Sequence, residues 1–258
     1  MRNELPVESL ILRQEECIPN ILVNCVIIGF DNGCLKVLLS RLKDDTRWLV
    51  PGCFVDQAED LDDAAIRLLE SKTGQGNVYL KQYCFFGKKE QSIADKDKKI
   101  LRLFNQSQQG ADYTQSRLVH LGYYSLIKFE DVNILAQEFE EVKWFDINDI
   151  PLLYPHQDEI LQTAIITIRK QVGFIPIGYE LLPVEFTMPE LRGIYEAILG
   201  RELDRRNFQR KMLSIGFIKP MNETRKVGAH KSPNLYSFIK DKYDEVEKYG
   251  MQIMSNNL

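Results

Sequence analysis

The stretch LVPGCFVDQAEDLDDAAIRLLESKTGQGN, residues 49–77, constrains the fold of this chain more than any other. Apolar residues at 61, 64, 65, 68 and 69 share one helical face. Asp60, Asp62 and Asp63 suit the positively polarised start of such a helix, and Gly74 suits its stop. Just upstream, RWLVPG predicts a short strand ended by Pro51 and Gly52. Strand, Gly-bearing loop, acid-started helix and Gly stop together make a frame that holds one loop against one helical face.

The flanking sequence is β-rich. NILVNCVIIGF and CLKVLLSRL surround Asp31-Asn32-Gly33, a hairpin signal, because Asn-Gly takes the positive φ that tight hairpin turns need. NVYLKQYCFF predicts a strand or strand pair; RLVHLGYYSLIKF and EEVKWFDINDIP predict two more. Between them, residues 87–116 are polar, charged and Gln/Ser-rich, with at most a helical turn at KKILRLF. That length without regular structure reads as an insertion, solvated and flexible. HQDEILQTAIITIRKQVG places apolar residues at 160, 161, 164, 165, 168 and 172, a helix expected to link this region to the next.

A second pattern follows. FTMPELRGIYEAILG opens with Thr187-x-x-Glu190, a capping box, with Pro189 in the first turn and an apolar face at 191, 194, 195, 198 and 199. LDRRNFQRKMLSIG predicts a shorter helix that buries Phe208, Met212 and Ile215 and exposes Arg205, Arg206, Gln209 and Arg210. FIKP and NLYSFI predict a ribbon around the turn MNETRKVGAHKSP. Helix, short link, basic helix and β-ribbon is a winged helix-turn-helix layout.

Charge separates the two parts. Residues 176–240 hold 11 Lys and Arg against 7 Asp and Glu, a surplus of four in a chain of net charge −4, so the rest carries −8. An acidic body with a basic appendage points to local nucleic-acid binding. The five cysteines, Cys17, Cys25, Cys34, Cys53 and Cys84, are odd in number and contain no C-x-x-C pair. They read as free thiols of a reducing cytoplasm rather than a disulfide framework or zinc ribbon. The start lacks a signal-peptide core, and the longest apolar run, ILVNCVIIGF, is too short to span a bilayer, so a soluble cytoplasmic protein is expected.

PGCFVDQAEDLDDAAIRLLESKTG resembles the Nudix box: Gly, five residues, Glu, seven residues, Arg-Glu, an apolar residue, any residue, Glu-Glu, any residue, Gly. Aligned on Gly74, the first Gly falls on Cys53, the first Glu on Glu59 and the Arg on Arg67; Leu68, Ser71 and Lys72 stand where the remaining carboxylates belong. Hydrolysis of a diphosphate needs Mg²⁺ or Mn²⁺ held by several carboxylate oxygens on one helical face. With a lysine at one ligand position, the resemblance implies a frame kept for its fold and pocket, with hydrolase activity lost and no bound metal or cofactor. Arg67 then holds the loop through Glu59 and loop carbonyls. LLPVEFTMPELRGIYEAILGRELDRRNFQRK and LYSF resemble the C-terminal domain of the Nudix-related bacterial transcriptional regulators. That family implies an α+β chain: a Nudix-like α/β/α sandwich with a mixed sheet, then a winged helix-turn-helix. Its members respond to ADP-ribose-type nucleotides or to sugars such as L-arabinose, which makes a small-molecule effector and double-stranded operator DNA the expected partners.

Candidate DNA contacts are Arg205, Arg206, Asn207, Gln209, Arg210 and Lys211 on the second helix; Arg suits guanine, and Asn or Gln suits adenine. Asn207 has the alternative of capping the turn. Arg225, Lys226, His230 and Lys231 at the ribbon tip are expected on phosphates, which fix position without reading sequence. Candidate effector contacts are Arg41, Trp48, Phe54, Glu59, Arg67 and Arg117, although Trp48 and Phe54 read first as core. The lysines at 88, 89, 96, 98 and 99 are offset by Glu90, Asp95 and Asp97, and His120 and His156 lack partners at metal-ligand spacing.

The expected organisation is a tail (1–16), a sensing domain (17–154) with the 87–116 insertion, a linker helix (155–175), a winged helix-turn-helix (176–240) and a C-terminal tail (241–258). A homodimer is expected from the match between two-fold proteins and palindromic operators. The alternatives are a Nudix-type nucleotide diphosphate hydrolase with a rearranged metal site, and an adaptor whose winged helix binds protein.

Overall fold

The structure, a computed structural model, describes residues 17–88, 104, 118–174, 177–225 and 233–249. The KKILRLF turn, apart from Phe104, and the ribbon tip 226–232 lie outside them. The chain divides into two compact units, one ending at Ala164 and one running from Ile165; residues 29–35 and 126–130 group with the second.

The first unit is built on a sheet of β1 (Cys17–Asp31), β2 (Cys34–Leu42), β3 (Gly52–Asp56), β4 (Tyr79–Phe86), β5 (Val119–Leu126) and β6 (Glu140–Asp146). Its order is β4-β5-β1-β2-β6, with β3 pairing antiparallel to β1. The turn between β1 and β2 is as expected: Asn32 and Gly33 both have positive φ, 49° and 81°. The helix α1 (Leu61–Thr73) buries Ala64, Ala65, Leu68 and Leu69 and ends at Gly74, whose φ of 70° is left-handed. The helix α2 (Gln157–Gln171) follows β6.

Two expectations change here. Pro51 and Gly52 do not end a strand; Trp48 and Leu49 make only isolated bridges, and β3 begins at Gly52. Glycine is needed there because a Cβ would stand 2.7 Å from Asn24 Nδ2 and 2.9 Å from the Phe104 ring. Nor is the 87–116 insertion wholly solvated. Phe104 is 1% exposed and packs with Leu22, Leu42, Leu49, Phe54, Leu118 and Tyr154.

The second unit contains α3 (Ile177–Leu181), β7 (Glu185–Thr187), α4 (Met188–Leu199), α5 (Arg205–Ile215), β8 (Ile218–Thr224), β9 (Asn234–Phe238) and α6 (Lys240–Tyr249). The capping box on α4 forms in both directions. The ribbon gains a third strand, in the order β7-β9-β8. The core between sheet and helices holds Phe186, Leu191, Ile194, Tyr195, Ile198, Phe208 and Met212. Residues 241–258 are not simply a tail: they begin inside α6, where Tyr243 is buried and stacks on Tyr179 at 4.1 Å. Both α3 and β7 escaped the sequence reading, being five and three residues long.

Candidate functional site

The loop between β3 and α1 is tied by Arg67 and Glu59. Arg67 Nε donates to Glu59 Oε2 at 3.0 Å, and Nη2 donates to Oε1 at 2.5 Å and to the Phe54 carbonyl at 2.8 Å. The Asp56 amide also donates to Glu59 Oε1, at 2.7 Å. Both carboxylate oxygens of Glu59 are therefore engaged by protein donors. Cys53, beside Arg67, is buried, and burial pushes its thiol up to about 12. Arg67 Nη1 is buried and meets no acceptor among the described residues.

On the same helix Leu68 is fully buried and the Ser71 hydroxyl donates back to the Leu68 carbonyl at 2.7 Å. Lys72 turns inward. Its Nζ donates to Glu140 Oε1 at 2.7 Å and Oε2 at 2.6 Å, and the two side chains are 3% and 1% exposed. The same corner is closed by the Asn133 amide on the Thr73 carbonyl and the Leu135 amide on the Lys72 carbonyl, both at 3.0 Å. Glu140, on the first residue of β6, was not singled out from sequence; it lies 68 positions from Lys72 and no local pattern joins them.

These residues do not fit a divalent cation. The box positions offer an aliphatic chain, a hydroxyl turned onto its own helix, an ammonium, and one carboxylate already holding an arginine and an amide. Among the described residues no group of three His, Cys, Asp or Glu is placed to hold a metal ion. His120 Nδ1 is instead paired with Asn24 Oδ1 at 2.7 Å in the core.

Five of the six effector candidates fall into two knots. Glu59, Arg67 and the Phe54 carbonyl form the first; the Phe54 ring is fully buried and presents no face to a ligand. In the second, Arg41 lies 4.8 Å over Trp48 and bonds Glu141 (Nε to Oε2, 2.7 Å) and the Asp45 carbonyl (3.0 Å). Trp48 is 6% exposed and meets Phe145 edge-on, so it too is core. Arg117 lies outside the described residues.

In the second unit, α5 exposes Arg205, Arg206, Asn207 and Arg210 and half-buries Gln209 and Lys211. Its N-terminus is capped by Asp204, whose carboxylate accepts from the Asn207 amide at 2.8 Å. The Asn207 side chain accepts from Arg210 Nη2 at 2.9 Å, and Gln209 reaches the Tyr236 hydroxyl of β9 at 3.3 Å. A cleft of about 600 Å³ runs beside this helix, lined by Asp204, Asn207, Arg210, Lys211 and Ser214. Arg225 faces protein: Nη1 donates to Glu190 and Nη2 to the Glu185 carbonyl. Lys226, His230 and Lys231 lie outside the described residues. No helix among those described is long and apolar enough to cross a membrane.

The fold and these sites define a class, a Nudix-type α+β domain with a mixed sheet carrying a winged helix of DNA-binding type. The chain belongs to the NUDIX domain family, whose model matches residues 19–164, and the NrtR DNA-binding winged helix domain matches residues 178–238. It is 27% identical over 234 residues, 88% of this chain and 84% of the relative, to an ADPR responsive transcriptional repressor NtrR of Acinetobacter baylyi. Its fold is similar to that of Shewanella oneidensis NrtR complexed with a 27mer DNA (TM-score 0.67, 21% identity, 87% of this chain and 95% of that one). It is also similar to a MutT/nudix family protein from Enterococcus faecalis (TM-score 0.61, 20% identity, 86% and 88%).

Proposed function

We propose that this chain is a ligand-responsive, DNA-binding transcriptional regulator of the cytoplasm. Residues 17–154 sense a small molecule and residues 176–240 bind double-stranded operator DNA. The observation that carries the reading is the capped helix α5, which leaves Arg205, Arg206, Asn207 and Arg210 exposed on a domain matched by a DNA-binding winged-helix model. Arg205 and Arg206 sit in the first turn, where a recognition helix meets base edges. Arg210 is steadied by Asn207, a geometry suited to bidentate contact with guanine. Gln209 and Lys211 support the surface from its edges.

The sensing domain acts by binding, with the hydrolase reaction lost. The Lys72–Glu140 pair and the Arg67–Glu59 knot support this, because they occupy the positions from which a metal would be held. ADP-ribose is the first effector to test, since the Acinetobacter relative responds to it; L-arabinose is the second. Two copies acting as a homodimer would let an effector bias the spacing of two DNA-binding domains, provided it binds the two arrangements unequally.

The test is selection of genomic fragments by the purified protein at moderate salt, beside the Arg205→Ala/Arg206→Ala variant. Enrichment of a palindromic site by the unaltered protein alone is expected. Equal enrichment by both, or none, would overturn the regulator reading. Mg²⁺-dependent release of product from ADP-ribose, abolished by Glu59→Gln, would establish the hydrolase instead.

A further inference from the structure

Arg225 stands at the end of β8, where the sequence leads one to expect a phosphate contact. Its guanidinium is turned the other way. Nη1 donates to Glu190 Oε1 at 2.8 Å, and Nη2 donates to the carbonyl of Glu185 at 2.7 Å. The other oxygen of Glu190 accepts from the Thr187 amide at 2.6 Å and hydroxyl at 2.9 Å, completing the capping box of α4. Arg225 is therefore the third member of a chain running from the α4 N-terminus through one carboxylate. Its own amide donates to the Pro233 carbonyl at 3.1 Å, pairing the chain just past the two strand ends.

The sheet order gives these contacts their meaning. With β7-β9-β8 as the order, Arg225, one residue past β8, links the two outer strands of the sheet by reaching a β7 carbonyl. The β8–β9 register shifts between Pro220 and Thr224, and pairing resumes at Thr224 with Asn234, so the end of β8 is reached through a bulge. The bridge adds a side-chain restraint beyond that bulge, and it ties the tip end of β8 to the helix that precedes the recognition helix.

We infer that Arg225 is a positioning residue: it fixes the end of β8 against β7 and the α4 N-terminus and makes no DNA phosphate contact. The inference rests on the DNA-binding reading above. Because the Arg225 side chain keeps 37% exposure, a phosphate contact is the rival explanation for any loss on its substitution.

The two differ in sign at Glu190. A positioning pair needs both members, so Glu190→Gln weakens binding as Arg225→Gln does, each by roughly fivefold, the scale of a well-formed surface ion pair. The two losses do not add in the double variant. A phosphate-binding arginine would instead be released by Glu190→Gln, and affinity would hold or rise. Arg225→Lys separates them again: it keeps the charge but cannot bridge two acceptors, so it loses as much as Arg225→Gln. Affinity is read by fluorescence anisotropy on a duplex enriched by the unaltered protein, across a salt series. The slope of log affinity on log salt stays unchanged in Arg225→Lys, whereas Arg225→Gln would drop it by about 0.9 if a phosphate contact were lost. Retention of affinity in Glu190→Gln or Arg225→Lys, or that drop in slope, overturns the inference. Failure of the unaltered protein to retain any duplex overturns the DNA-binding reading itself, and the inference with it. Thermal melts of the same variants show that each remains folded; Arg225→Lys, the mildest, carries the test should Glu190→Gln not.

Discussion

The Lys72 ammonium and Glu140 carboxylate attract each other almost out of contact with water, so salt screens the pair weakly. Desolvation on that scale makes a lone member costly. Lys72→Met is expected to destabilise the first unit by about 3–5 kcal/mol, while Lys72→Met with Glu140→Leu recovers most of the loss. Urea unfolding of the three proteins checks it, and additive losses would contradict it. Asp45 supplies a pH signature. The Arg47 guanidinium bond holds its carboxyl well below the usual carboxylate range; burial opposes this, and the Tyr154 hydroxyl adds to it. Because the folded value is depressed, the stabilisation is complete above the unfolded value of about 3.9 and is lost as pH falls below it. Asp45→Asn is therefore expected to be less stable near neutrality and to flatten the stability curve below about pH 4 in urea titrations.

At the scale of elements, α5 combines a helix start with two arginines in its first turn, against the sign the helix dipole favours. Asp204 offsets them with a carboxylate at the cap. Asp204→Ala should cost about 1 kcal/mol in thermal melts, with part of the DNA affinity lost as the first turn frays. The contrast between what was legible and what was not follows sequence distance. The hairpin at Asn32-Gly33, the capping box at Thr187 and Glu190, and the Gly74 stop are local signals, and each forms as read. The partners of Lys72 and Arg225 lie 68 and 35 positions away, and periodicity carries no information about them. Arg67 with Glu59 was legible only through the spacing of the box. Phe104 closes the short apolar motif KKILRLF, too brief inside a long polar stretch to show that its ring is buried in the core.

In the molecule as a whole, the sequence charge is divided, with a basic surplus of four in residues 176–240 and −8 elsewhere. Regulation in such a chain is a coupling between two binding events and must be reciprocal. If saturating ADP-ribose changes operator affinity by some factor, operator DNA is expected to change ADP-ribose affinity by the same factor. Calorimetric titration of ADP-ribose into free and DNA-bound protein measures it; unequal factors would show that the two ligands do not meet in one thermodynamic cycle. The buried pair also limits what position 72 can become: Lys72→Glu would leave two carboxylates facing each other in a dry corner with Glu140. A single substitution at position 72 is therefore expected to cost folding before it returns a carboxylate to the box.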